Sequence, residues 1–371
     1  MKEFRLRNDT LLLFRNNPVS DITTLTVGKN VLFVYGGNSV YKNGCYDNVK
    51  TAVSAGNGML FELGNVSREF ANVEKGVELV KQHEIDIVIG AGGASIMDCA
   101  KLIAFGAYHE ADLWDYVKGR KTPYGKEKLP LILMPTYPSS GSEYGLGAVT
   151  SDARTGDYGT AYGIPADVAI LVPQYTLSLN KEMTMYTGLV TLVQLSAATI
   201  GDETSITYDA GISVIKNVLK AIWKLKENPS DLEARGVILF GASISTSGRL
   251  GVGKEENYAY DIYEVEFVPE VLFGAAYRRS LTTLFPRFLK AMAAYHREDI
   301  QRYFYDSFGF VGDVSDSAER MVKLFEDIGV PMYFDGRTSK EDVSRIVTGS
   351  CLSADEIYEI LMECIRGDRS N

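Results

Sequence analysis

Short apolar runs alternate with segments of helical periodicity through the first half of this chain, and this alternation constrains its fold more than any other feature. Four of the runs predict buried strands, at residues 31–35, 85–90, 131–134 and 168–172. Helical spacing over residues 46–55 and 73–82 fills two of the intervals. Because strands that alternate with helices pair in parallel and are covered on both faces, we predict an α/β fold with an N-terminal Rossmann-like parallel sheet.

The second half of the chain has a different pattern of apolar residues. From about residue 180 it is dominated by long helical periods, at residues 183–198, 209–226 and 277–296. Ser353 and Glu356 form a capping-box pattern, which predicts the start of one more helix. We therefore predict an α/β domain at residues 1–180 and an all-helical domain at residues 181–371, with an active cleft between them.

Charge and composition exclude several classes of function. The net charge of −10 argues against a nucleic-acid surface, which needs clustered Lys and Arg. No apolar stretch approaches the roughly 18 residues of a membrane span, and the charged start of the chain argues against a signal peptide. The four cysteines form no C-x-x-C pair, so we expect reduced thiols and a cytoplasmic location.

Three glycine-rich segments follow predicted strands, at residues 36–39, 92–95 and 135–143. Glycine lets the backbone approach a pyrophosphate, and a helix that starts there offers unpaired N–H groups and a favourable dipole. A tight turn is the competing interpretation of any single segment, but three at one sheet edge favour phosphate binding. The candidate cofactor-binding residues are Gly36, Gly37, Asn38, Ser39, Gly92, Gly93, Ala94, Ser95, Asp98, Thr136, Tyr137, Ser139, Ser140 and Ser142.

Taken in order, these segments resemble the iron-containing (group III) alcohol dehydrogenase family, within the dehydroquinate-synthase-like superfamily. Residues 92–101 match its G-G-G-S-x-x-D-x-x-K pattern with alanine at the third place, and residues 135–143 match its P-T-x-x-x-[TS]-G-S-E loop. Residues 170–179, the Thr187-Gly188 step and residues 284–286 extend the resemblance over most of the chain. It implies that the second loop binds the pyrophosphate and the third approaches the nicotinamide. Relatives are often dimers, so a homodimer is one possible assembly, although the sequence does not determine the oligomeric state.

The first loop bears on the choice of cofactor. NAD-preferring relatives place an aspartate where this chain has Gly37, and that carboxylate repels a 2′-phosphate. Here Ser39 supplies a hydroxyl and Lys42 a positive charge. We therefore expect NADP(H), and a turn indifferent to the 2′-phosphate is the competing interpretation.

The family's metal ligands are missing from this chain. The chain contains only three histidines, His83, His109 and His296. By counting from the motifs, the family's aspartate and three histidines fall at Val190, Gln194, Tyr277 and Tyr263, and an additional histidine of many relatives falls at Phe267. Valine and phenylalanine offer no ligand atom, and neutral tyrosine binds a divalent ion poorly. The resemblance therefore implies a member of the family without its metal.

Hydride transfer without a metal needs another group to stabilise the developing charge. A tyrosine hydroxyl can donate to that oxygen, and we name Tyr277 first, with Arg278 and Arg279 supplying a positive field, and Tyr263 second. A substrate that brings its own activation, such as a protonated imine or a conjugated enone, is an alternative. So is a purely space-filling role for both tyrosines.

The expected function is therefore an NADP(H)-dependent oxidoreductase that reduces a small carbonyl, imine or enone without metal. A catalytically inactive relative that binds the nucleotide as a sensor or scaffold is the main alternative. A lyase or synthase that uses the nicotinamide transiently ranks last, since those relatives also use metal.

Overall fold

The structure is a computed structural model that describes residues 2–201, 206–347 and 352–366. The chain divides into two compact units. The sheet unit comprises Arg7–Asn180 and Ala242–Ser247, and the helical unit comprises Met1–Leu6, Lys181–Gly241 and Gly248–Asn371. The predicted division into a dinucleotide-binding α/β domain at residues 1–180 and an all-helical domain at residues 181–371 that completes the active cleft stays a prediction.

The sheet unit contains a parallel six-stranded sheet, as the alternating pattern predicts. Its strands are β1 (Leu11–Phe14), β2 (Asn30–Tyr35), β3 (Met59–Leu63), β4 (Ile87–Gly92), β5 (Leu131–Pro135) and β8 (Val168–Leu171), in the order β1-β8-β5-β4-β2-β3. A separate antiparallel hairpin is formed by β6 (Gly147–Asp152) and β7 (Asp157–Tyr162). The helices of this unit are α1 (Val19–Thr26), α2 (Ser39–Lys42), α3 (Cys45–Ala55), α4 (Phe70–Gln82), α5 (Ala94–His109) and α6 (Leu113–Val117).

The central strands are buried because helices pack on both faces of the sheet. Side chains alternate along β2, so that Val31 and Phe33 join one hydrophobic cluster and Leu32 and Val34 join the other. The first cluster includes residues of α1 and α3, and the second includes residues of α4 and α5. Every residue of β4 and β5 is buried. This two-sided burial explains why these strands are continuous apolar runs in the sequence.

The helical unit is mostly helical in its described part. Its helices are α7 (Lys181–Thr199), α8 (Ile206–Glu227), α9 (Leu232–Thr246, whose last residues belong to the sheet unit), α10 (Ile262–Val265), α11 (Phe267–Phe273), α12 (Tyr277–Phe308), α13 (Val314–Ile328), α14 (Lys340–Ile346) and α15 (Ala354–Cys364). The predicted capping box is present: Ser353 and Glu356 hold the start of α15. An isolated parallel bridge between Phe334 and Ile365 departs from the all-helical expectation.

The predicted segment at residues 277–296 is the first part of α12. His296 adopts a non-helical conformation (φ −134°, ψ 43°), and a second helical stretch follows it to Phe308. The helical period therefore breaks where the backbone kinks.

Three of the four cysteines, Cys45, Cys99 and Cys364, are buried free thiols, and Cys351 lies outside the described residues. Within the described ranges, no helix combines the length and the apolar character that crossing a membrane requires.

Candidate functional site

The three glycine-rich loops lie at one edge of the sheet. They follow β2, β4 and β5, which are neighbours in the sheet and run parallel. In parallel strands the carboxyl ends share one edge, and Gly92 at the end of β4 pairs with Pro135 at the end of β5. The structure therefore brings together residues 36–39, 92–95 and 136–142, as the sequence predicts. This edge is where open α/β sheets bind ligands.

The second loop leads directly into α5, a helix of 16 residues. A Cβ at Gly92 would lie 2.5 Å from Cγ1 of Ile96, so only glycine allows this close packing of strand and helix. Gly93 is the N-cap, and no side chain caps the helix. The backbone N–H groups of Ile96 and Met97 both bond to the Gly93 carbonyl, at 3.1 Å. Ala94 and Ser95 are partly exposed at this terminus, which suits a pyrophosphate.

A buried carboxylate on α5 forms a hydrogen bond that holds the third loop in place. Asp98 on α5 accepts a hydrogen bond from Ser142 Oγ at 2.5 Å and another from the Val149 backbone N–H at 3.1 Å. Burial raises the pKa of Asp98. Asp98 and Ser142, two of the predicted cofactor-binding residues, are thus hydrogen-bonded to each other. We interpret Asp98 as a residue that positions the loop.

Lys101, one turn further along α5, fixes the end of the same loop. Its side chain is fully buried, and Nζ donates to the carbonyl oxygens of Gly145 at 2.9 Å and Gly147 at 2.8 Å. Burial lowers the pKa of Lys101 to about 8, although the charges of Asp98 and Glu143 act in the opposite direction. The loop is therefore anchored by a buried cation whose charge is costly to desolvate.

A second anchor comes from the end of α9. Ser243 Oγ donates to Glu143 Oε1 at 2.6 Å, and Thr246 Oγ1 donates to the Gly141 carbonyl at 2.8 Å. Burial raises the pKa of Glu143. Lys101 and Glu143 lie inside the sequence motifs, but the motifs indicated no role for either residue. Ser243 and Thr246 lie outside the motifs and were not predicted. The contacts of Ser243 and Thr246 span about a hundred residues, so no local pattern reveals them.

The first loop is open. Gly37 is exposed, and a Cβ built there would meet no atom within 4 Å. Ser39 begins the short helix α2, and Lys42 at its end is exposed. The nearby carboxylate of Glu62 is held by the hydroxyls of Tyr35 at 2.7 Å and Tyr46 at 2.8 Å.

Three of the positions to which counting from the motifs assigns the family's metal ligands, Gln194, Tyr263 and Tyr277, lie close together within the helical unit. Gln194 Nε2 donates to the Tyr277 hydroxyl oxygen at 3.3 Å, and Val190, one turn before Gln194 on α7, is fully buried. Tyr263 is close enough to Tyr277 for the two to interact electrostatically. Burial is the main cause that raises the pKa of Tyr263 well above its usual value, and Tyr277 adds to it.

This cluster does not fit a divalent iron ion, which prefers imidazole and carboxylate ligands. Across residues 2–201, 206–347 and 352–366, no three His, Cys, Asp or Glu side chains are grouped so that they could hold a metal. The three histidines pack on aromatic rings elsewhere: His83 on Phe61, His109 on Phe105, and His296 on Tyr258.

Arg278 and Arg279 were expected to supply a positive field at Tyr277. The structure places the Arg278 guanidinium 5.5 Å from the ring centre of Tyr186, and the Arg279 guanidinium 5.8 Å from that of Phe334. Both charges lower the pKa of Tyr186, against a larger rise caused by burial. Both arginines therefore act on Tyr186, and the positive field at Tyr277 stays a prediction.

Comparison with known proteins agrees with the sequence motifs. A family model described as iron-containing alcohol dehydrogenase matches residues 10–173. The "Probable NADH-dependent butanol dehydrogenase 1" of Bacillus subtilis (strain 168) is 30% identical over 301 residues, which cover 78% of this chain and 76% of that protein. The chain belongs to the iron-containing alcohol dehydrogenase family. The resemblance inferred from the motifs is therefore confirmed.

Two other similar proteins bear on the cofactor and on the fold. The NADPH-dependent aldehyde reductase YqhD of Escherichia coli (strain K12) is 27% identical over 304 residues, covering 77% of this chain and 75% of that protein. The crystal structure of NADH-dependent butanol dehydrogenase A from Thermotoga maritima has a TM-score of 0.88 and 24% identity, with 99% of both chains covered, which confirms the fold. These comparisons support an oxidoreductase. Since the relatives divide between NADH and NADPH, the choice of cofactor depends on this chain's own residues.

Proposed function

We propose that this protein is an NADP(H)-dependent oxidoreductase that reduces a small carbonyl, imine or enone substrate without a resident iron ion. The observation that supports the proposal is the hydrogen bond between Gln194 and Tyr277, two positions that counting from the motifs assigns to metal ligands, in a chain that keeps all three glycine-rich loops. A homodimer and a cytoplasmic location stay predictions.

Each of the three glycine-rich loops would contact a different part of NADP(H). Residues 92–95 would hold the pyrophosphate at the start of α5, and residues 136–142 would approach the nicotinamide. Gly37, Ser39 and Lys42 would accommodate the 2′-phosphate, since no aspartate occupies this loop. NADPH, when bound, supplies the hydride. The buried bonds of Asp98 and Lys101 keep the third loop in place without a cost of reordering on binding.

The proton would come from Tyr277. A neutral phenol can accept a hydrogen bond from an amide and also donate its own proton, so the Gln194 contact is compatible with this role. Tyr263 is the second choice. Because its pKa is raised well above the usual value, Tyr263 stays protonated and releases its proton less readily than an ordinary phenol.

Cofactor titration is the first test of this function. Purified protein that has not been exposed to chelator should contain no stoichiometric iron or zinc by elemental analysis, and should bind NADPH about ten- to a hundredfold more tightly than NADH. One metal per chain that survives dialysis would contradict the metal-free site, and equal affinities would contradict the assigned 2′-phosphate contacts. NADPH binding without turnover of any carbonyl, imine or enone would favour the inactive nucleotide-binding alternative.

A further inference from the structure

A cavity of about 380 Å³ lies entirely within the helical unit, at the start of α12. Residues 274–276, Arg278 and Arg279 form one wall, and Tyr186 and Glu182 of α7 contribute to another. Tyr186 lies two turns before Gln194 on α7, or roughly 12 Å along the axis at 1.5 Å per residue. Neither Gln194 nor Tyr277 is among the residues that line the cavity, although Arg278 and Arg279 directly follow Tyr277 in α12, and the binding of a ligand there does not depend on the proposed function.

Two positive charges line this cavity without an acidic partner. Within the described ranges, neither Arg278 nor Arg279 forms an ion pair, and the Nε atom of each is buried without a hydrogen-bond partner. Arg279 Nη2 donates to the Tyr333 carbonyl at 2.8 Å, which fixes that side chain. Buried donors left unsatisfied by the protein are normally satisfied by water or a bound ion.

Tyr186 provides a third donor. Its side chain is only 2% exposed and lines the cavity. In the described part of the chain its hydroxyl has no hydrogen-bond partner, and the influences on its pKa are burial and the charges of Arg279, Glu182 and Arg278. A buried phenol that faces a cavity beside two guanidinium groups is suited to donate to a ligand.

The start of α12 adds a favourable dipole. This helix has 32 residues, its N-cap is Ala276, and no side chain caps it. The backbone N–H groups of Arg279 and Ser280 both bond to the Ala276 carbonyl, at 2.7 and 3.0 Å. The positive end of the helix thus lies at the cavity wall, where anions are stabilised.

We propose that this cavity binds the oxyanion of a small organic anion, such as a phosphate, sulfonate or carboxylate group, through Arg278, Arg279 and Tyr186. Guanidinium groups bind such oxyanions through paired hydrogen bonds. The cavity volume is in the range of small-molecule sites and exceeds the space that a bare phosphate needs. Glu182 and Asp335 also line the cavity, but both are exposed, and their negative charges weaken the site.

Calorimetric titration at fixed ionic strength tests the proposal with two probes, inorganic phosphate and glycerol 3-phosphate. Saturable binding of either supports it, and tighter binding of the phosphomonoester identifies the ligand as an organic anion. Arg278→Gln should weaken binding about tenfold or more, because the Arg278 guanidinium forms no hydrogen bond or ion pair with the described residues and so remains available to the anion. Tyr186→Phe should weaken it severalfold.

Glu182→Gln removes a negative charge that repels the anion, so this variant should bind the probes more tightly than the wild type does. Arg320→Gln, at an exposed position of α13, is the matched control with the same change of charge and should bind as the wild type does. No saturable binding to the wild-type protein overturns the proposal. So does binding that is unchanged in both Arg278→Gln and Tyr186→Phe, or that falls equally in Arg320→Gln.

Discussion

Gly141 is the point where the third cofactor loop contacts the end of α9, and replacing it with alanine should destabilise the sheet unit. Its φ of +63° is in the left-handed region that disfavours a side chain. A Cβ would lie 2.2 Å from the Ala242 carbonyl oxygen and 2.4 Å from Thr246 Oγ1. Neither atom can yield easily, because one is backbone and the other donates to the Gly141 carbonyl.

The size of the effect follows from three contributions. Alanine in the left-handed region costs roughly 1–2 kcal/mol, and overpacking costs roughly 1–3 kcal/mol. The smaller entropy of the unfolded chain offsets about 0.4–1 kcal/mol of this. The free energy of unfolding should therefore fall by about 1.5–4 kcal/mol in Gly141→Ala.

Urea unfolding followed by tryptophan fluorescence measures this change. The chain has two tryptophans, so a Trp223→Phe background leaves Trp114 of the sheet unit as the reporter. Gly37→Ala is the control, since that loop has open space and no positive φ, and it should differ from wild type by about 0.5 kcal/mol or less. If Gly141→Ala is as stable as this control, the close packing at Gly141 does not contribute to stability as proposed.

Three further predictions concern the buried lysine, the cofactor and the proton donor. Lys101→Met should lower the free energy of unfolding by about 2–4 kcal/mol at neutral pH, because two charge-assisted hydrogen bonds are lost. The pKa of Lys101 is about 8 when folded and 10.5 in its ordinary state. The unfolded chain therefore binds more protons between these values, so the wild type should gain stability over this range. Parallel pH curves for wild type and Lys101→Met would contradict the assignment. Gly37→Asp should reverse the preference for NADPH over NADH, measured by fluorescence titration, and an unchanged ratio would remove this loop from 2′-phosphate binding. Tyr277→Phe should keep NADPH affinity but lower turnover about 10²-fold, whereas full turnover in both Tyr277→Phe and Tyr263→Phe would point to a self-activated substrate.

The sequence predicted the parts of the fold that depend on local pattern. β2, β4, β5 and β8 are apolar along their length because both faces are covered, and a continuous apolar run identifies them. The short strands β1 and β3 were missed because they lie at the sheet edges and are largely half-exposed or exposed, which removes that signal.

The same distinction applies to the site. The glycine loops are local motifs, so their place at one sheet edge could be inferred. The bonds from Ser243 to Glu143 and from Thr246 to Gly141 join residues about a hundred positions apart, and only the folded chain brings them together. The direction of Arg278 and Arg279 was also beyond the sequence. Tyr186 is distant from Arg278 in sequence, so only the folded chain shows that its ring lies beside that guanidinium.

The most direct test of metal-independent reduction is the NADPH-dependent turnover of chelator-treated protein whose iron and zinc content has been measured. Oxidation of NADPH would be followed at about 340 nm with a panel of carbonyl, imine and enone substrates, before and after chelation. We predict the same turnover in both samples and no stimulation by added iron or zinc, because Val190, Gln194, Tyr263 and Tyr277 offer no suitable ligand set. Turnover that disappears on chelation and returns with added metal would contradict the metal-free mechanism.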